Sequence, residues 1–198
     1  MSVYNIENNV LFVHNPKCAG TSMEACNFLV GDYRYGRGGH FPYYMYELLV
    51  AGVDSVFSFA FVRDPRDRLV SAFFHPGTQW PRDDFKGFVK KLEGTPAPVM
   101  GTFPRQDKIR WWLPQRFLPQ WFFICDRDDV AGVDFLGRFE NLEADWRHVC
   151  MEVLGYPCEL PHVRAGRHPD YRTCYDDETW EIAGRVYARD IELLGYEN

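Results

Sequence analysis

The chain has 198 residues, 46% of them hydrophobic and 17% aromatic, which suits a folded domain with a sizeable core and excludes a disordered chain. Its net charge is −6; a generic nucleic-acid binder is usually basic, whereas a small anionic ligand needs only local positive charge. No apolar run approaches the ~20 residues of a membrane span, and the opening MSVYNIENN lacks the basic-then-apolar order of a signal peptide.

In chain order, residues 10–14 predict a strand that runs through NPKCAGTS into a helix over about 21–29, with Met23, Ala25, Cys26 and Leu29 apolar. A Gly- and Arg-rich loop, 31–39, and a helix at about 42–51 follow. Residues 55–62, SVFSFAFV, are almost continuously apolar, the pattern of a parallel strand covered on both faces. The next helix, RDRLVSAFF, has Asp64 as its cap, Pro65 in its first turn and Asp67 where a capping box wants an acid. Residues 76–121 hold seven of the thirteen prolines and four of the six tryptophans, so an irregular insertion with a short helix near 84–92 is expected. Two more apolar segments stand at 121–125 and 133–139, the second leading into a helix from Asn141 to about Leu154. After a basic loop, 159–175, one last helix from Asp176 or Asp177 to Gly195 puts Trp180, Ala183, Tyr187, Ile191 and Leu194 on one face. Strands alternating with helices imply an α/β sheet covered by helices. Neither a repeat nor a low-complexity linker interrupts residues 1–198, so one domain is expected. The six cysteines are scattered without a C-x-x-C pair, which predicts free thiols in a reducing, cytoplasmic setting. The nearest metal-like grouping, Cys150, Cys158 and His162, fits no common site spacing.

Chemistry concentrates at two strand ends. In the loop after the first strand, Lys17, Gly20, Thr21 and Ser22 suggest an anion cradle built from backbone N–H groups, a lysine and hydroxyls at a helix start. It is not a Walker A loop, which needs G-x-x-x-x-G-K-[ST]. The bland alternative makes Thr21 or Ser22 a helix cap and Lys17 a solvated charge. Arg63 follows the second strand, with Ser71 on the helix beyond it. Ligands of open parallel sheets collect at the carboxyl ends of strands, so two anion sites on one rim suggest a ligand with two separated phosphate-like groups. The alternatives are a salt bridge from Arg63 to Asp64 or Asp67, and an ordinary helix serine.

HNPKCAGTS resembles the 5′-phosphosulfate loop of sulfotransferases, and FAFVRDPRDRLVSAF resembles their 3′-phosphate segment. GRFENLEADWRHVC and LPHVRAGRHPDYRTCYDDETWEIAGRVYARDIELLGY resemble the C-terminal half of the carbohydrate sulfotransferases that include heparan sulfate 2-O-sulfotransferases and bacterial relatives. The resemblance implies a P-loop-like three-layer α/β domain with a central, mainly parallel sheet flanked by helices. It implies 3′-phosphoadenosine 5′-phosphosulfate (PAPS) as donor, adenosine 3′,5′-bisphosphate as product and no metal. It assigns Lys17, Cys18, Ala19, Gly20, Thr21 and Ser22 to the 5′ loop, Arg63 and Ser71 to the 3′-phosphate, and Arg164 and Arg167 to the segment closing over the nucleotide. The family's histidine base falls on His40 in GGHFPYYMYEL. The 2-O enzymes carry two histidines near this point, and Gly38 replaces the first. Glu24 and His75 are competing bases, His75 more naturally a local cap of its helix. Cys18, at a helix start, receives no catalytic role. Trp80, Trp111, Trp112 and Trp121 suit either the core or stacking on sugar rings, and the insertion is where acceptor recognition is expected. The expected reaction moves the sulfuryl group to a hydroxyl of a carbohydrate or small hydroxylated metabolite, with no nucleic-acid partner and no membrane span. A nucleotide kinase and a non-catalytic nucleotide-binding module are the rival readings.

Overall fold

The computed structural model describes residues 2–29, 40–94, 115–163 and 168–197. The chain divides into two compact units, one built from residues 1–63 and 122–164, the other from 64–121 and 165–198.

The first unit carries the sheet. Strands β1 (Val3–Asn5), β2 (Val10–Val13), β3 (Phe57–Val62) and β4 (Phe135–Arg138) lie in that order. β1 pairs antiparallel with β2, while β2–β3 and β3–β4 are parallel. The sheet is therefore mainly parallel, as expected. Both faces of β2 and β3 are covered, since Leu11, Phe12, Val13, Phe59, Ala60, Phe61 and Val62 are all buried. On one face, Phe12, Phe59 and Phe61 pack with Trp146 and Val149 of helix α6 (Leu142–Leu154). Asp134 pins β4 to β3 by accepting both the N–H and the hydroxyl of Ser58, at 2.7 and 2.8 Å. Because β2 and β3 are parallel, their carboxyl ends open on the same edge, and that edge positions the site.

The first helix is shorter than the apolar pattern suggested. α1 covers Gly20–Met23; beyond it, Ala25 and Cys26 donate to the carbonyls three residues back, and a 3₁₀ turn closes the segment at Asn27–Leu29. Helix α2 is Tyr43–Leu49. α6 ends at Gly155, whose φ of 75° is the left-handed stop that glycine supplies. Cys150, on α6, is joined to Cys158 as a disulfide. This corrects the expectation that all six cysteines are thiols: the turn after α6 brings two cysteines together that the spacing alone did not pair.

The second unit is helical. α3 (Pro65–Phe73) opens on Asp64, whose carboxylate accepts the N–H groups of Arg66 and Asp67. α4 (Phe85–Glu93) opens on Asp84 in the same manner. α7 (Asp177–Val186) begins with a capping box between Asp176 and Thr179. The single C-terminal helix of the sequence reading is broken: α7 stops at Tyr187 and α8 (Ala188–Leu194) restarts after it. Tyr187 donates its hydroxyl to the Phe117 carbonyl at 2.8 Å. The expected apolar face survives the break, with Ala183, Tyr187, Ile191 and Leu194 buried.

The apolar segment 121–125 holds a short helix, α5 (Trp121–Ile124). The fully buried Asp190 carboxylate accepts the N–H groups of Gln120 and Trp121, both at 2.8 Å. A carboxylate on those two donors serves as a cap delivered from a distant residue, which local propensity does not foresee.

Candidate functional site

β2 hands its chain to the loop at His14. Asn15 ties that loop to the sheet, its side-chain amide donating to the Phe61 carbonyl at 3.0 Å. Two residues later the backbone turns left-handed: Lys17 has φ 71° and Ala19 φ 61°. Each such non-glycine residue costs on the order of 1 kcal/mol. Two of them flanking Cys18 alternate the handedness of the chain, the geometry that turns successive N–H groups toward one concavity and makes an anion nest. Cys18 is buried, its thiol directed at the Pro16 carbonyl.

The cap of α1 is Ala19, and no side chain bonds there. Thr21 and Ser22 are thus not spent as helix caps. Both are half-buried on the first turn, and the Ser22 hydroxyl accepts the N–H of Val163 at 3.4 Å. Gly20 has a reason the sequence did not reveal. A side-chain carbon there would collide with the His14 imidazole, so glycine is required by a packed ring and not only by an approaching anion.

Arg63 follows β3 directly and is 6% exposed. Its guanidinium lies 3.9 Å above the Phe139 ring, and Nη1 donates to the Lys17 carbonyl at 3.4 Å. The cation therefore sits against the backbone of the left-handed loop, as two adjoining parallel strands require.

His40 is half-buried three residues before α2. Its Nδ1 lies 2.9 Å from the His14 carbonyl. A carbonyl accepts only, so Nδ1 carries a proton, and the neutral form of the ring then has its lone pair on Nε2, the tautomer of a general base. The ring meets that of His14 edge to face, with centroids 4.3 Å apart. His14 itself was not singled out in the sequence. It is buried, and its Nδ1 lies 2.5 Å from Oε1 of Glu24. Burial first, then the charges of His40 and Lys17 among its neighbours, hold its pKa well below the usual histidine value. The available signal was a histidine at the strand's end with a glutamate ten residues on, at the end of the helix that the loop opens.

The remaining expected residues distribute as follows. Ser71 is buried on α3 in the second unit. Arg66 and Arg68, two nearby arginines on α3, are structural there. Arg66 lies 4.2 Å over the Trp180 ring and donates to the Glu197 carbonyl, while Arg68 donates to the carbonyls of Arg116 and Leu118. His75 accepts the Gly77 N–H in the turn after α3, a bond within the turn and not to the end carbonyls of the helix. Trp80 bonds to Asp84 and packs on Phe88, and Trp121 is buried under Arg189; both are committed to the fold. Arg164, Arg167, Gly38, Trp111 and Trp112 lie outside the described residues. Among the described residues no cluster of His, Cys, Asp or Glu could hold a metal ion, and no helix is long and apolar enough to cross a membrane. A cavity of about 500 Å³ opens beside α1, walled by Ala25, Cys26, Phe28, Tyr156, Cys158 and Pro161. Burial pushes the Cys26 thiol in it up to about 11.

A model of the sulfotransferase family matches residues 2–197. The chain belongs to the sulfotransferase family. No curated protein and no solved structure matches it. PAPS is the donor typical of the family, and this sulfotransferase presents residues that fit it: a nest of backbone donors, a lysine within the nest and a buried arginine on the same strand edge. For the enzyme, the expectation of an α/β, P-loop-like fold and of sulfuryl transfer holds.

Proposed function

We propose that this sulfotransferase transfers a sulfuryl group from PAPS to a hydroxyl of a carbohydrate or small hydroxylated metabolite, with His40 as general base. PAPS, when bound, supplies the sulfuryl group. The observation that carries the reading is the convergence of three features on one strand edge: the left-handed loop at Lys17 and Ala19, Arg63 against that loop's backbone, and His40 held in the Nδ1–H tautomer by the residue that begins the loop.

Each residue then has a task. The backbone N–H groups from Cys18 to Thr21 hold the 5′ oxygens, the Ser22 N–H being spent on the Ala19 carbonyl. The Lys17 ammonium neutralises charge developing on the leaving bridging oxygen, where electrostatic stabilisation is largest. Arg63 takes the 3′-phosphate. His40 Nε2 removes the acceptor hydroxyl's proton as its oxygen attacks sulfur, a role that contributes typically about 10²–10⁴-fold. The cavity beside α1 is assigned to the nucleoside, because it opens next to Ser22's turn and offers Phe28 and Tyr156 as aromatic walls for a purine. The likeness of the C-terminal segments to heparan sulfate 2-O-sulfotransferases favours a glycan acceptor.

Calorimetry with adenosine 3′,5′-bisphosphate, ATP and AMP tests the donor site. The bisphosphate binds tightest; tighter binding of ATP would sink the reading. A screen of glycans and small hydroxylated compounds with radiolabelled PAPS identifies the acceptor. His40→Ala keeps bisphosphate affinity and loses turnover.

A further inference from the structure

Beside His40 lie a buried histidine and a carboxylate to which the reaction above gives no task. The side chains of His14 and Glu24 are 8% and 21% exposed. With its pKa depressed by burial, the His14 ring is neutral near pH 7 and its Nδ1–H donates to Glu24. Its Nε2 edge fills the place that a Cβ on Gly20 would take. Gly20 opens α1 and Glu24 closes it, so one imidazole is gripped from both ends of a single helical turn. The same residue reaches the other way. Its carbonyl accepts from His40 Nδ1, and its ring abuts the His40 ring. His40 lies outside any helix or strand, so these contacts fix its ring in a way its own backbone segment does not.

We propose that His14 and Glu24 are positioning residues for sulfuryl transfer, Glu24 holding the His14 ring and His14 setting the place and tautomer of His40 relative to the helix that opens from the donor loop. The proposal rests on His40 being the base. Neither residue touches the reacting atoms. A base displaced by about 1 Å costs on the order of 100-fold, and that is the loss the pair prevents. Glu24 was a candidate base in its own right, but its Oε1 is committed to His14, and the test separates the two roles.

Full-length protein is compared with Glu24→Gln, Glu24→Ala and His40→Ala. Three quantities are read: the imidazole ¹⁵N shifts with adenosine 3′,5′-bisphosphate bound, the affinity for that bisphosphate, and turnover of radiolabelled PAPS on the first acceptor found. Glutamine still offers an oxygen to His14 Nδ1–H. Glu24→Gln is therefore expected to keep the Nδ1–H signature of both histidines and turnover within about fivefold. Glu24→Ala is expected to move both sets of shifts and to lower turnover by about 10- to 100-fold, with bisphosphate affinity unchanged within about threefold. Three results overturn the proposal. If Glu24→Gln is as inactive as Glu24→Ala, the carboxylate itself moves the proton. If Glu24→Ala leaves shifts and turnover unmoved, the pair is only packing. If affinity falls in parallel with turnover, the pair merely supports the loop. His40→Ala reports on the reading beneath: retention of more than about a third of turnover removes His40 as base and the proposal with it, whereas full dependence on His40 with an inert Glu24 removes the proposal alone.

Discussion

Arg63→Ala is the sharpest probe of the donor site, because Arg63 has two separable jobs, one proposed and one seen in the structure. One is the proposed contact with the 3′-phosphate. Loss of a charge-assisted contact costs about 1.5–3 kcal/mol, which is about 10- to 150-fold in affinity. The other is support of the loop through the Lys17 carbonyl. At 3.4 Å that bond is well beyond the usual ~2.9 Å for N–H to O, so its removal costs little. The stacking on Phe139 at 3.9 Å contributes roughly 0.5–2 kcal/mol to folding, and its loss acts on stability and not on the choice of ligand. Calorimetry on wild type and variant, with adenosine 3′,5′-bisphosphate and with AMP, separates the jobs. Binding of the bisphosphate should fall by about 10- to 150-fold, while AMP, which lacks the 3′ group, should lose less than about threefold. Arg63→Lys should lie between, since an ammonium keeps the charge without the planar fork that stacks on the ring. Equal weakening of both nucleotides in Arg63→Ala would refute the reasoning, because Arg63 would then act only by shaping the 5′ loop.

Activity should survive EDTA, since Lys17 and the backbone nest supply the positive field; an absolute need for Mg²⁺ would favour kinase chemistry. Acidification should destabilise the fold through His14. Its folded pKa lies below the unfolded value of ~6.5, so the unfolded chain takes up the extra proton and stability falls as pH drops below about 6.5. Asp190, raised by burial, works in the opposite sense in the carboxylate range. Thermal midpoints between pH 7.5 and 5.5 should therefore fall more steeply in wild type than in His14→Gln, and parallel slopes would contradict this. Thiol titration of the unreduced, denatured protein should find four free cysteines, Cys18, Cys26, Cys125 and Cys174; six would exclude the Cys150–Cys158 bond. Reduction of that bond, which spans eight residues, should lower stability by about 2–3 kcal/mol on the chain-entropy estimate.

What the sequence disclosed follows from how local each determinant is. β2 and β3 declare themselves because a strand covered on both faces is written as an unbroken apolar run. The loop declares itself because Lys17, Gly20, Thr21 and Ser22 are adjacent. β1 went unmarked, since three residues pairing antiparallel with β2 leave no periodicity to read. The segment of α5 could be read only as apolar, because burial looks the same in either conformation; the Asp190 carboxylate that caps the helix is about seventy residues away. Arg63, Arg66 and Arg68 are alike in the sequence, yet the first lies against the loop and the others brace the second unit's interior. His14 was hidden by its neighbours, a polar residue at the end of an apolar string whose partners, Glu24 and His40, come from separate turns of the chain.

The left-handed loop has a consequence for anyone who would transplant it. Lys17 and Ala19 do not adopt positive φ of their own accord, and the peptide PKCAGTS released from this protein would spend little time in the nest conformation. The shape is supported from outside the segment, chiefly by the Asn15 amide bonded to a carbonyl forty-six residues away, with the Arg63 guanidinium a weaker prop at 3.4 Å. Grafting the heptapeptide onto another strand–helix junction would move the letters without the scaffold that bends them. A working transplant would need Asn15 and the neighbouring parallel strand as well, with a carbonyl at the Phe61 position to receive the amide. Replacing Lys17 or Ala19 by glycine would relax the demand on the scaffold, and at Lys17 it would do so by giving up the charge. The minimal unit that can be moved is the pair of strand ends.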